Sequence, residues 1–206
     1  GIIIASLMAI NQQNVKRMFA YSSIAQIGYM VLGLSMSTAA GLMASLLHLF
    51  NHALMKGALF LALGAVFYRI GGVSLKHFQG IGRHMPFTFA ALLIGGLSII
   101  GMPLTVGFVS KWYLLQASIA QSWYLMSIVI LLGSLLSVIY IWKIVDSAYF
   151  KPAFPGHKSI KEAPISLLVP VWILVLANLY FGIDTRLTVS MTEQVASQFL
   201  PGGMLP

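Results

Sequence analysis

Cysteine is absent from the 206 residues, which excludes a disulfide framework, a thiolate metal site and thiol chemistry. Charge is scarce too: 8% of residues are charged, with four acids against twelve basic residues. With 59% hydrophobic residues and a mean hydropathy of +0.91, the composition lies outside that of a soluble globular domain and describes an integral membrane protein. The net charge of +8 would suit nucleic acid, but a basic excess confined to membrane loops sets orientation, so no nucleic-acid partner is expected. A signal peptide would need a basic start and a small-residue cleavage site, and neither is present. The chain opens on Gly1, and residues 1–10 form an apolar run too short to span a bilayer alone. Residue 1 is therefore expected inside a transmembrane helix, and the chain is expected to be the C-terminal part of something larger.

What is present is a series of long apolar segments. The first run ends in a polar exit, Asn11 to Asn14 followed by Lys16 and Arg17. Residues 19–36 cross back with Ser22, Gln26 and Tyr29 at i, i+4 and i+7, a mildly polar stripe read first as helix packing. Residues 38–68 form the longest span, followed by a loop over 69–84. The third crossing, 86–116, contains Gly101, Pro103 and Gly107. Proline removes a backbone donor and clashes with the preceding turn, so two half-helices are expected there. Residues 123–150 make a fourth span that leaves with Lys143, Asp146 and Tyr149, expected to snorkel or pair near the interface. Residues 152–162 form a basic loop, 164–183 the fifth span, and a weakly amphipathic tail ends in Pro201, Gly202 and Gly203. The fold expected is an all-α polytopic transmembrane bundle, about five full spans plus a partial N-terminal helix, with one broken helix near Gly101–Gly107.

Within 42–68, an apolar helix carries His48, Asn51, His52 and Lys56. The two histidines and the lysine are four apart and stack as one stripe, with Asn51 beside them. A charged group inside hydrocarbon costs at least about 2.5–3.5 kcal/mol, so such a stripe faces protein or water and is read first as a proton or ion path. Two alternatives stand beside it. HLFNH has Leu49 where a zinc protease of H-E-x-x-H type needs its Glu, and it offers no third ligand. Buried polar residues also tie helices together without conducting anything. Lys56 weighs against that reading: burial disfavours the charged form of a lysine, so it and Lys111, which follows the helix break, can each change protonation, as a relay requires. Broken helices recur at transporter ion sites, which is where Lys111 falls.

The loops supply an internal check. Taken alternately, Lys16, Arg17, Arg69, Lys76, Arg83, Lys143, Lys151, Lys158 and Lys161 fall on one side and Arg186 on the other, leaving Lys56 and Lys111 within the membrane. That asymmetry places the basic loops in the cytoplasm and the C-terminus on the opposite face.

Three segments, NVKRMFAYSSIAQIGYM at 14–30, HLFNHALMKGALFL at 48–61 and GMPLTVGFVSKWYLL at 101–115, resemble the C-terminal half of the antiporter-like, proton-conducting membrane subunits of respiratory complex I, membrane-bound hydrogenases and Mrp-type cation/proton antiporters. Among these the chain looks most like the D subunit of Mrp antiporters, with the complex I subunits close behind. The resemblance implies a fourteen-helix parent with two inverted five-helix repeats, each with a broken helix, and a midplane line of Lys, His and Glu. It implies that His48, His52 and Lys56 hold the family's positions before the second broken helix, that Lys111 is the proton-exit lysine on it, and that Ser110, Trp112 and the 101–107 break are its surroundings. The family's first repeat, with its Glu and partner Lys, has no counterpart here, so the chain is expected not to complete a transmembrane path alone.

The function expected is proton translocation in a multisubunit cation/proton antiporter of a bacterial or archaeal inner membrane. The partners expected are other membrane subunits, the remaining half, lipid, protons and Na⁺ or K⁺. No cofactor and no metal are expected. The alternatives are a redox-driven pump subunit of a complex I-type or hydrogenase-type enzyme, and a non-conducting scaffold.

Overall fold

A computed structural model describes residues 1–153 and 160–200, so part of the expected basic loop and the Pro201–Gly203 ending lie outside the described residues. Among the described residues eight α-helices run in order: α1 Ile2–Ile10, α2 Val15–Ser35, α3 Ala39–Ile70, α4 Pro86–Ile100, α5 Val106–Ala120, α6 Tyr124–Val145, α7 Ile165–Ile183 and α8 Arg186–Phe199. Four of the described stretches are long and apolar enough to cross a membrane by themselves: α2, α3, α6 with the turn that follows it, and α7. The remaining crossing is divided between α4 and α5, as the Gly-Pro-Gly break leads one to expect.

The helix ends follow local chemistry. Asn14 caps α2 by accepting from the Arg17 N–H at 3.1 Å, and Thr38 caps α3 by accepting from Gly41 at 3.1 Å. Between them Ser37 takes a positive φ of 53° to turn the chain back. The first turn of α4 is capped from across the molecule: the Glu162 carboxylate accepts from Phe87 N–H at 2.7 Å, Thr88 N–H at 3.3 Å and Thr88 Oγ1 at 2.6 Å. An anion at a helix N-terminus satisfies free N–H groups and complements the helix dipole.

The break lies at Gly101, whose φ of 93° suits glycine and whose N–H closes onto Leu97 and Ser98. Pro103 therefore sits in the connection and interrupts neither half-helix. After it, α5 starts beside the end of α4, so close that a Cβ at Gly107 would collide with the Ser98 carbonyl. The Gly107 N–H donates to Ser98 Oγ at 3.2 Å.

Helix α3, at 32 residues, is about 48 Å long against a hydrocarbon core of about 30 Å. It packs against α2, α4, α5, α7 and α8, while α1 packs against α2 and α6. The core between them is filled by Met18, Phe19, Met55, Leu59, Ile99 and Tyr140. Apolar side chains such as Ile24, Val31, Leu131, Leu135 and Ile173 point outward, as a lipid-facing or subunit-facing surface requires.

The structure adds detail at three places. Lys143 pairs rather than snorkels, with a partner the sequence does not name: its Nζ donates to Ile10 O at 2.5 Å and Gln12 O at 3.3 Å, a cation closing the C-terminal end of α1. Asp146 does pair near the interface, with Lys151 at 3.3 Å. The segment after α3 is more ordered than a plain loop. Val15 and Leu75 exchange backbone hydrogen bonds of 2.8 Å with Val73 and Gln13, and Ile81–Arg83 forms a 3₁₀ turn. The Ser147 hydroxyl, in the π-helical turn Asp146–Phe150, donates to Leu75 O at 2.5 Å and ties this segment to the end of α6. Finally, the tail is a helix: α8 buries Thr188 and Ala196 toward α3 and leaves Leu187, Met191, Val195 and Phe199 outward as an apolar stripe of interfacial type.

Candidate proton path

Lys56 and Lys111 are 7% and 6% exposed, and neither has a carboxylate partner among the described residues. The four acids of the chain, Asp146, Glu162, Asp184 and Glu193, all lie outside the middle of the bundle. The two amines are solvated by neutral oxygens instead. Lys56 Nζ donates to the Phe19 carbonyl at 2.8 Å and to the Ser22 hydroxyl, beneath the rings of Phe19 and Phe60 at 5.6 and 6.0 Å. Lys111 Nζ donates to Ile99 O at 2.6 Å, Ile100 O at 3.3 Å and Ser134 Oγ at 3.0 Å, with its charge over the Tyr29 ring at 5.0 Å. The helix break makes this second site: it frees the carbonyls at the end of α4, and α5 carries Lys111 back onto them.

His48 and His52 stand between the lysines on α3. Their rings stack at 6.4 Å, and the His48 ring meets Tyr29 edge-on at 5.6 Å. His48 Nδ1 shares a 2.8 Å hydrogen bond with Ser110 Oγ on α5, and Asn51 Nδ2 donates to Val106 O at 2.8 Å, so α3 is fastened to α5 at the break. His48 Nε2, His52 Nε2, Asn51 Oδ1 and Gln26 Oε1 are buried and make no hydrogen bond among the described residues. Buried polar atoms require a partner, so these face positions suited to ordered water. Among the described residues no third His, Asp or Glu joins the two histidines, so no metal donor set is assembled there.

The Ser22, Gln26 and Tyr29 stripe of α2, expected to serve packing, faces this same line: Ser22 binds Lys56 and Tyr29 lies against both Lys111 and His48. Trp112, expected beside Lys111, instead points outward and stacks on Phe108 at 6.0 Å.

A family model described as NADH:quinone oxidoreductase/Mrp antiporter, TM matches residues 1–137, two thirds of the chain. The chain belongs to this family. It is 37% identical over 208 residues to NADH-quinone oxidoreductase subunit N of Desulforudis audaxviator, covering 95% of this chain and 42% of that one. It is 36% identical to F(420)H(2) dehydrogenase subunit L of Methanosarcina mazei, covering 89% and 29%. Among solved structures, an archaeal membrane-bound sulfane sulfur reductase aligns with a TM-score of 0.84 and 33% identity over 92% of this chain and 31% of that one. The Mrp complex of Dietzia aligns with a TM-score of 0.90 and 22% identity over 97% and 45%, a likeness of fold. This family member thus spans less than half the length of these relatives, and they are subunits of multisubunit membrane complexes.

Sequence reasoning passed over residues of α6. Ser127, Ser134, Ser137 and Tyr140 recur at helical spacing in an otherwise apolar span, and that stripe was the available signal. Asn178 of α7, fully buried with both amide atoms unpartnered among the described residues, was passed over as well.

Proposed function

We propose that this chain moves protons between Lys56 and Lys111 within a larger membrane complex, through His52 and His48. The observation that carries this reading is the pair of buried lysines, each held only by carbonyl and hydroxyl oxygens, with two stacked imidazoles between them. An amine so placed holds a proton without a fixed counter-charge, and imidazole accepts on one nitrogen while donating from the other. A proton leaving Lys56 passes to His52, then to His48 with ordered water between, and reaches Lys111 at the Ser110 and Tyr29 end. The asymmetry of basic loops supports a cytoplasmic location for the α1–α2 and α3–α4 connections.

The coupling we propose is to electron transfer elsewhere in the complex. Identities of 37%, 36% and 33% to subunits of redox enzymes support it, against 22% to the Mrp complex. The TM-score of 0.90 to the Mrp complex keeps cation/proton exchange as the second reading. The test uses vesicles holding the complete complex, energised either with an electron donor or with a Na⁺ or K⁺ gradient, for wild type and Lys56→Ala. Donor-driven proton movement that falls roughly tenfold or more in the variant, with assembly intact on a native gel, is the expected result. Cation-gradient-driven exchange in its place would move the coupling to the second reading. Undiminished flux in Lys56→Ala would leave a scaffold.

A further inference from the structure

On the face where α2 begins and α3 ends, the bundle carries a groove of about 390 Å³ lined by Lys16, Phe60, Leu63, Gly64, Phe67 and Val73. That volume lies within the roughly 300–1,000 Å³ of small-molecule sites. Phe60, Gly64 and Phe67 recur at i, i+4 and i+7, so a single face of α3 makes the floor. At 1.5 Å per residue this floor runs about 10 Å along the helix, beginning about 15 Å short of its end at Ile70, which is acyl-chain depth in a bilayer. At the shallow end the Val15 N–H donates to Val73 O at 2.8 Å and fixes Lys16 beside the end of α3. Gly64 is the informative residue. Glycine weakens a helix interior, and the usual return is close approach of another element, as at Gly107. At Gly64 an added Cβ would meet nothing within 4 Å, so no described part of the chain uses the space it leaves. The rings on either side of it face outward, Phe60 36% and Phe67 54% exposed.

We propose that this groove binds a phospholipid with an anionic headgroup, its acyl chain lying over Gly64 between Phe60 and Phe67 and its phosphate at Lys16. Charge decides the occupant. Lys16 and Arg17 stand in the first turn of α2, which holds no acid and where the helix dipole disfavours cations. Neither enters an ion pair among the described residues, and no acid lines the groove. An apolar floor with an unpaired cation at its interfacial end matches an amphiphile whose head is negative and whose tail points inward, as basic pockets between membrane helices do for acidic lipids. The Phe60 ring at the deep end also stands 6.0 Å from Lys56 Nζ, so the bound chain backs the aromatic cover of that amine. The binding itself does not depend on the lysine relay.

The experiment reconstitutes the complete complex into vesicles containing a trace of phosphatidylglycerol or phosphatidylcholine, each with the same photoreactive acyl chain. After illumination, the labelled peptides are mapped by mass spectrometry. Phosphatidylglycerol is expected to label residues 60–73 several-fold more than phosphatidylcholine. Gly64→Leu, which fills the groove without meeting the chain, is expected to lower that labelling several-fold with assembly intact on a native gel. Lys16→Gln is expected to bring the two lipids level, and Lys16→Arg to keep the preference. These exposed Lys16 variants leave the α3 face untouched, so they decide the matter if Gly64→Leu fails to assemble. Equal labelling by the two lipids in wild type would reduce the groove to ordinary lipid contact and overturn the headgroup assignment. Absence of labelling in the complete complex would mean that another subunit covers the groove, and labelling unchanged in assembled Gly64→Leu would place the lipid elsewhere; either result overturns the site.

Discussion

Lys111 on α5 reaches back to donate a 2.6 Å hydrogen bond to the carbonyl of Ile99, so the lysine of one half-helix closes the end of the other. The break at Gly101 and the buried charge are therefore one construction. The carbonyls released by ending α4 replace part of the hydration an ammonium loses in the membrane, and the positive charge sits at the negative end of the α4 dipole.

The opposite end of α4 depends on Glu162. Replacing Glu162 with Ala removes the acceptor for two N–H groups and the Thr88 hydroxyl. A lost helix cap costs about 0.5–2 kcal/mol. At this chain size each kcal/mol corresponds to roughly 2–4 °C, so a lower melting temperature of the detergent-solubilised protein is expected, with Glu162→Gln closer to wild type. Equal melting of Glu162→Ala and wild type would contradict the assigned cap.

Much of this was legible in the residues, for physical reasons that differ from place to place. Gly101, Pro103 and Gly107 announce a break because backbone restrictions are local. His48, His52 and Lys56 announce a candidate path because ionisable groups are costly inside hydrocarbon. Ser22, Gln26 and Tyr29 read only as packing, since a small polar residue in a membrane helix does not say what it faces; the contact from Lys56, 34 positions away, gives the stripe its partner. Ser134, Ser137 and Tyr140 were hidden by the strong hydropathy of α6. Lys143 reads as interfacial, snorkelling or pairing, but its partner does not show in the sequence because the closing of α1 by a residue 133 positions away is a tertiary fact.

Ser110 is the hydrogen-bonding partner of His48 Nδ1. Ser110→Ala removes it, leaving the ring free to turn and its Nδ1 unsatisfied at a cost of about 1–3 kcal/mol. Flux through the histidine route is expected to fall several-fold with assembly unchanged, and Ser110→Thr is expected to restore most of it. Equal flux in Ser110→Ala and wild type would show that the imidazole needs no such anchor.

Asp184 begins the turn into α8 and accepts two side-chain hydrogen bonds from Arg186, at 2.9 and 2.7 Å. These bonds, with the Arg186 backbone N–H and the charge of the guanidinium, hold the carboxyl down at about 2 from its usual 3.8. A depressed folded value contributes stability above the ordinary value and loses it as pH falls through about 2. Asp184→Asn is therefore expected to give a melting difference from wild type that is constant between pH 5 and 8. The two should converge only in strong acid. A difference that vanished by pH 5 would contradict the pairing.

The most direct measurement is proton flux in vesicles bearing the complete complex, wild type against Lys111→Ala, with assembly verified by native gel. A working relay predicts that flux collapses while the complex stays intact, because the Ile99, Ile100 and Ser134 oxygens no longer hold a transferable proton. Flux that persists in the assembled variant would contradict the relay and leave Lys111 as a structural cap on α4.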